Sequence, residues 1–402
     1  MASRTSSIEI CTGRDVGGIQ TGNKMTEAKI RTEEMLLNMG PQHPSTHGVF
    51  RVVVRTDGEL ILESQSHIGY LHRCFEKCAE GNNYLQVVPY TDRMDYLCAM
   101  MNNWGYAASI EKLTGIEVPE RAEYIRVIVA ELNRVASHLL AFGTYGLDIG
   151  AITPFLYAFR DRERILKIFE KLCGQRLNYS YVRIGGVTFD MTDEILSDIE
   201  AFCDYFDPKI IDEYDNLLSY NGIFISRTAN VGVIPADLAI SYGVTGPSLR
   251  GSGVPRDLRR DAPYGIYDRL EFDVPVGSGE MGQVGDCWDR YMVRMREMRQ
   301  SIRLVRQAIK DIPDGPFCDK KAFRGVKPKA GETYKKVEGA RGEVGFYVVS
   351  DGTNIPYRVK ARAPSFCNIS ILDKLTSMSD VMLADLVAII GSLDIVLGEV
   401  DR

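Results

Sequence analysis

Histidine is scarce in this chain, with five in 402 residues. Few positions can therefore trade protons near neutral pH through a side chain whose ordinary pKa is about 6.5. Long apolar runs are missing too. No stretch reaches the roughly 18–20 residues that a membrane span needs, and the most apolar one, Val381 to Leu397, is broken by Asp385 and Asp394. No secretory signal is present, so membrane association is expected to come through partners. A basic excess is also lacking: the net charge is −6, which excludes a nucleic-acid-binding surface. The nine cysteines (Cys11, Cys74, Cys78, Cys98, Cys173, Cys203, Cys287, Cys318 and Cys367) hold no four-thiolate spacing. Only Cys74 and Cys78 lie close, as C-x3-C. The pattern reads as reduced, intracellular thiols with no metal site built by this chain alone.

What is present is ordinary globular material, 45% hydrophobic and 25% charged. The length allows two or three domains or one large fold. Residues 1–33 are polar and without apolar periodicity, and read either as a disordered tail or as an arm that orders on a partner subunit. The remainder divides into an N-terminal β region (34–70), a mainly helical core (71–320) with an irregular stretch at 221–283, and a C-terminal hairpin and helix (321–402).

Two of the histidines share one short loop, Gly40-Pro41-Gln42-His43-Pro44-Ser45-Thr46-His47-Gly48. An apolar segment (Met35, Leu36, Leu37) precedes it. A hairpin follows, Val49 to Val54 and Leu60 to Glu63 around Asp57-Gly58. A second hairpin pairs Gly345–Val349 with Tyr357–Lys360 around Asp351-Gly352. Between them the chain reads as helical. From Arg121 to Leu140, Ile125, Ile128, Leu132, Val135 and Leu139 make one apolar stripe, with Glu131, Arg134 and His138 on an adjacent one. His138 reads as a structural, hydrogen-bonded residue beside a helix pair. Further helices are expected at 92–114, 155–174, 192–206, 285–310 and 375–392.

The 221–283 stretch carries Arg250, Arg256, Arg259 and Arg260, and is long enough to be functional or covered by a partner. Near its end, Gly277 to Gly282 match G-x-G-x-x-G. Pro275 interrupts the strand that should precede a dinucleotide fingerprint, and the acid expected about 20 residues on falls inside a helix. A structural glycine loop fits better.

A metal site is disfavoured as well. His43 and His47 are spaced as in helical zinc pairs, but Pro44 between them breaks any helix. His67 and His72 would join them only through folding. For proton chemistry the candidates are His47, Tyr96 in Tyr90-Thr91-Asp92-Arg93-Met94-Asp95-Tyr96, which reads as opening a helix, and Asp148, just after the helix that carries His138. A carboxylate near an imidazole raises its pKa and orients it, and a neutral phenol donates a hydrogen bond. Spacing alone does not join them.

The strings NMGPQHPSTHG, HIGYLHRCFEK, YTDRMDYL, LDIGAITPFLYAFRDRE, YVRIGG, RGSGVPRDLRR, YDRLEFDVPVG, ARGEVGFYVVSDG and PYRVKARAPSFCN, in that order, resemble the 49 kDa subunit (the D-type subunit in bacteria) of respiratory complex I, the NADH:quinone oxidoreductase. The resemblance covers residues 35 to 402. That family is similar to the large subunit of nickel–iron hydrogenases, which hold their metals on two C-x2-C pairs. Here Cys74 and Cys78 are wrongly spaced and Asp394 to Arg402 contains no cysteine, so the nickel–iron site should be absent. The implied fold is α+β, a central antiparallel helix bundle flanked by small β-sheets.

The resemblance also assigns roles. His47 and Tyr96 match the residues that hydrogen-bond the two quinone carbonyls, Asp148 the carboxylate paired with that histidine, and His43 a second histidine of a mobile loop. Arg73 and Arg93 match arginines near the terminal 4Fe–4S cluster of the neighbouring small subunit. In this family a histidine commonly stands where this chain has Asn178, which does not titrate in this range. The expected function is quinone reduction coupled to proton translocation, with ubiquinone or menaquinone as substrate and no cofactor bound by this chain alone. The expected partners are the small iron–sulfur subunit, a 30 kDa-type subunit and membrane-arm subunits. The expected location is peripheral, on the cytoplasmic face of a bacterial inner membrane or the matrix side in a mitochondrion. The alternatives are the equivalent subunit of a ferredoxin-linked complex, or of a hydrogenase-related membrane oxidoreductase.

Overall fold

The computed structural model describes residues 34–43 and 46–402. Both readings of residues 1–33 concern a segment outside the described residues. Three antiparallel strands come first: β1 (Glu34–Met39), β2 (Arg51–Asp57) and β3 (Leu60–His67). β2 and β3 form the expected hairpin. Asp57 pairs with Leu60, so the turn residues are Gly58 and Glu59, one position later than expected, with Gly58 at φ 62°. Met35-Leu36-Leu37, whose structure the sequence left open, is a strand, with Leu37 opposite Val54. It forms the sheet edge and is mostly exposed, so no alternation marks it.

The helices follow. α1 (Tyr84–Asp92) starts at a capping box made by Asn83 and Gln86, and α2 (Ala99–Thr114) follows a break. The single helix expected at 92–114 is therefore corrected: residues 93–98 form a turn, and Tyr96 sits in it rather than opening a helix. α3 (Glu120–Asp148) runs past Leu140 and ends on Asp148 itself. α4 (Ile152–Cys173), α5 (Asp193–Tyr205) and α6 (Cys287–Asp311) lie close to expectation. The second sheet is β4 (Gly331–Gly339), β5 (Gly342–Ser350) and β6 (Arg358–Arg362), antiparallel in that order. β5 and β6 are the expected hairpin; β4, rich in lysine and glutamate, carries no strand signal of its own. The expected 375–392 helix is two, α7 (Leu372–Met378) and α8 (Leu383–Leu393), because Met382 and Asp385 cap a new start. A last short helix, α9, is Leu397–Asp401.

α3, α4 and α6 form an antiparallel bundle. Gly146 lies against Pro154, and Gly143 against Phe155 and Ala158, so α4 runs back along α3. His138 meets Glu297 and Glu131 meets Ser301, so α6 also opposes α3. The sheets flank this bundle. Val337 and Phe346 pack on Gly105 of α2, and Ser64 and Ser66 of β3 bond Thr376 and Asp373 of α7.

The bundle core is partly ionic. Glu131 accepts hydrogen bonds from Arg259 (3.1 Å), Tyr267 (2.6 Å) and Ser301 (2.7 Å). Arg250 joins Glu297 at 2.7 Å and Glu338 at 2.8 Å. All of these residues are buried. The irregular stretch thus sends Arg250 and Arg259 inward as core ion-pair partners, while Arg260 stays exposed. Gly277 is a packing residue: a Cβ there would lie 1.9 Å from the Gly251 carbonyl oxygen.

Removing one partner of a buried ion pair strands the other charge. Arg259→Met, which leaves Glu131 and Asp257 short of their shared cation, should lower stability by about 3–5 kcal/mol in urea unfolding of the purified chain.

Candidate functional site

The loop between β1 and β2 is held by its own backbone. The Thr46 backbone N–H and hydroxyl both donate to the His43 carbonyl, at 3.1 and 2.8 Å, and His43 and Gly48 form an isolated bridge. Thr46 is buried. His47 then takes a left-handed backbone, φ 52°. A non-glycine residue adopts it at a cost of about 1–2 kcal/mol, so something must repay it.

What repays it is Asp148. The His47 Nε2 lies 2.7 Å from Asp148 Oδ2, and both side chains are largely buried. Asp148 ends α3, where Gly150 at φ 95° lets the chain turn into α4. Gly391 of α8 gives the carboxylate its room: a Cβ there would be 2.4 Å from Asp148 Oδ2. Burial works against a charged His47, but the hydrogen bond and charge of Asp148, with the charge of Asp394, outweigh it. The net effect raises the His47 pKa above its ordinary value.

Tyr96 is 39% exposed. Burial raises the pKa of its phenol, with Arg341 and Arg73 acting in opposition and Asp95 reinforcing the rise. It is therefore a neutral donor. Arg341 acts on both His47 and Tyr96. Its Nη1 donates to Asp95 Oδ2 at 2.7 Å and to Ser137, and its Nε to the Asp394 carbonyl at 2.8 Å. His43 is exposed at the loop's near end.

Arg73 and Arg93 are brought together, with Arg73 Nη2 donating to the Arg93 carbonyl at 2.6 Å. Arg93 lies beside Asp92, at 3.8 Å. Asp92 in turn accepts from the Ser180 backbone N–H at 3.2 Å, which ties in the turn carrying Asn178. Asn178 is left-handed, φ 57°, and its Oδ1 is buried without a hydrogen-bond partner among the described residues. Burial pushes the Asp92 carboxyl up to about 6.

Sequence reasoning missed Arg341, Asp394, Asp95 and Gly391. They sit at turns and helix ends, where no periodicity singles them out, although Arg341 and Asp95 lie within strings that carry the resemblance. Among the described residues, no group of three or more His, Cys, Asp or Glu is arranged to hold a metal. None of the helices described is long and apolar enough to cross a membrane.

Residues 148–324 and 319–402 match the family described as the respiratory-chain NADH dehydrogenase 49 kDa subunit. The chain is 52% identical over 379 residues to a protein of Chlorobium luteolum named as the D-type subunit of NADH-quinone oxidoreductase, covering 94% of this chain and 95% of that one. Proteins of the same name from Dehalococcoides mccartyi and Desulforamulus reducens are 54% and 51% identical, covering 93% and 92% of this chain and 100% and 99% of their own length.

A raised histidine pKa stabilises the fold below the unfolded value, and that contribution fades as pH climbs through the folded one. Asp148→Asn should therefore cost about 1–3 kcal/mol near pH 6 and progressively less at higher pH. Urea unfolding of both chains across pH 5.5–9 measures it; a cost independent of pH would show that the pair is not ionic.

Proposed function

This chain belongs to the 49 kDa subunit family of the respiratory-chain NADH dehydrogenase, and on that premise we propose that His47, Tyr96 and Asp148 bind and protonate a quinone headgroup. The protein is one subunit of an NADH:quinone oxidoreductase, and the observation that carries the site is the 2.7 Å contact between His47 and Asp148.

A quinone takes up two electrons and two protons. Electrons can tunnel to it, but protons need a donor in contact, at about 2.6–3.2 Å. Nε2–H of His47 is committed to Asp148, so the transferable proton is the one on Nδ1 of the imidazolium. Tyr96 supplies the second O–H. After both transfers the imidazole is neutral, the phenolate must be refilled, and Asp148 is left as an uncompensated carboxylate. That new charge, with movement of His47, is the signal we assign to proton translocation.

The electrons would come from a 4Fe–4S cluster in the neighbouring small subunit, near Arg73 and Arg93, whose positive charge favours the reduced cluster. A covered site also needs partners. Leu147, Ile152, Leu156 and Phe159, around the Asp148 end of α3 and along the start of α4, are exposed. Ile152, Leu156 and Phe159 share one helix face. We assign this apolar patch to a membrane-arm subunit. The small iron–sulfur and 30 kDa-type subunits would cover other faces, and the assembly would lie on the cytoplasmic face of a bacterial membrane. Ubiquinone and menaquinone both fit these two donors.

His47→Ala in the intact assembly should lower quinone reduction by about 100-fold or more, and Tyr96→Phe by about 10–100-fold, with NADH oxidation by a soluble acceptor unchanged. Full quinone reductase activity in His47→Ala would remove the donor role. For the cluster, Asn178 does not titrate, and Asp92 is already ionised above about pH 7. A redox titration between pH 7 and 9 should therefore show a slope well under about 59 mV per pH unit.

A further inference from the structure

His138 lies buried on the side of α3 facing α6, with its Nε2 2.9 Å from Glu297 Oε2. Arg250 and His138 keep Glu297 ionised, down at about 2, against the opposing effect of burial. A carboxylate accepts, so Nε2 carries the hydrogen and Nδ1 of the neutral ring is an acceptor. Beside it is a cavity whose polar lining is His138, Tyr145, Tyr291 and Arg294, with Ala141, Phe142, Met295 and Gly391 completing the wall. A water-sized sphere can place its centre over about 10 Å³ there, close to the roughly 10–15 Å³ that one buried water requires.

Two polar atoms of wall residues, His138 Nδ1 and Arg294 Nε, have no hydrogen-bond partner among the described residues, and the Tyr145 hydroxyl has only the weakly accepting Cys287 thiol beside it. Behind the wall, Asp394 Oδ2, which also has no hydrogen-bond partner among the described residues, lies 3.7 Å from that Nε, too far for a direct hydrogen bond. An orphan acceptor and an orphan donor in one wall, with a hydroxyl and a carboxylate oxygen next to them, supply the two to four polar partners that a buried water needs. We propose that this cavity is a built water site, and that through it His138 is a positioning residue for the proton on His47. The water receives from Tyr145 and Arg294 and donates to His138 and Asp394. It keeps Arg294 from closing on Asp394, whose charge then remains available to His47. Gly391, in the cavity wall, also packs against the Asp148 carboxylate and the Tyr145 ring.

The groups that face His138 are Glu297, Arg294 and Tyr291 from α6, and Arg134 and Tyr145 from α3. Arg250 stands behind Glu297, and Asp394 and Arg341 lie behind Arg294. Without the acceptor on His138, or with the cavity filled, Arg294 would pair directly with Asp394. His47 would then hold its proton less tightly.

This inference rests on His47 being the quinone's proton donor. The test is the pH profile of quinone reduction by the intact NADH-oxidising assembly. In His138→Gln, and in Ala141→Val, which fills the cavity and changes no titratable group, the alkaline limb should move down by about half a pH unit or more. The assembly resolved finely enough to show water should have an ordered molecule within hydrogen-bond distance of His138 Nδ1, lost in Ala141→Val. No ordered water in the parent assembly, or a limb unmoved in both variants, overturns the inference. His47→Gln separates the two readings. If it abolishes the limb while the cavity variants leave it in place, only the water site fails. If the limb survives in His47→Gln, the donor role fails and takes this inference with it.

Discussion

The contact between His47 and Asp148 is the constraint around which the site is built. It joins a short loop between two strands to the last residue of a long helix, and each side gives something up to make it. His47 adopts a left-handed backbone. Asp148 is buried where only glycine at position 391 leaves it room. A charge-assisted hydrogen bond is worth about 1.5–3 kcal/mol, enough to offset the backbone cost of about 1–2 kcal/mol. His47 is therefore held in place by the same interaction that charges it. Whatever changes the charge on His47 also changes what holds it.

The helix bundle behind the pair is stiff for a related reason. Arg126, Arg134, Arg250, Arg259, Arg290 and Arg341 are all fully buried. Each has carboxylate or backbone oxygen partners: Glu111 for Arg126, the Glu338 and Gly339 carbonyls for Arg134, Gly232 and Gly285 for Arg290. Buried ion pairs add little net stability over apolar packing, but they tolerate no slippage, because a shift strands a charge. Here they span α3, α6, the 221–283 stretch and the turn between β4 and β5. The result is a scaffold in which Asp148, Asp95 and Asp394 have few alternative positions.

The fold was legible where a pattern repeats and the site where chemistry is rare. The stripe from Ile125 to Leu139 and the two hairpins are written in spacing. Two histidines among five stand in one proline-bound loop, which marks His47, and the match of motifs points to Asp148, whose contact with His47 spacing alone does not give. The rest is non-local. β1 and β4 are strands through their partners, not through alternation. Tyr96 reads as helical, yet residues 93–98 turn because Asp95 is drawn into the interior by Arg341, at 2.7 Å. Arg250 and Arg259 look like a solvated basic run until their carboxylates, far away in sequence, are in place. His138 reads as structural, and its hydrogen bond to Glu297 agrees with that. Its second nitrogen faces a cavity that no sequence feature announces.

Arg341 gives the two proposed donors a common cause. Its positive charge lowers the proton affinity of His47 and of Tyr96 alike. On His47 this effect is smaller than those of burial and of Asp148. Arg341 is not alone: Asp394 holds it on one side and Asp95 on the other. Asp394 raises the pKa of His47 and Asp95 that of Tyr96. Each donor thus feels the same cation and a different carboxylate. A reduced quinone at the proposed site would bring its own negative charge, which Arg341 would stabilise as the donors' protons leave. The cation that weakens the hold on both protons would then also stabilise the charge drawing them off. This combination requires the guanidinium to be buried and immobile, as its hydrogen bonds to Asp95, Ser137 and Asp394 make it.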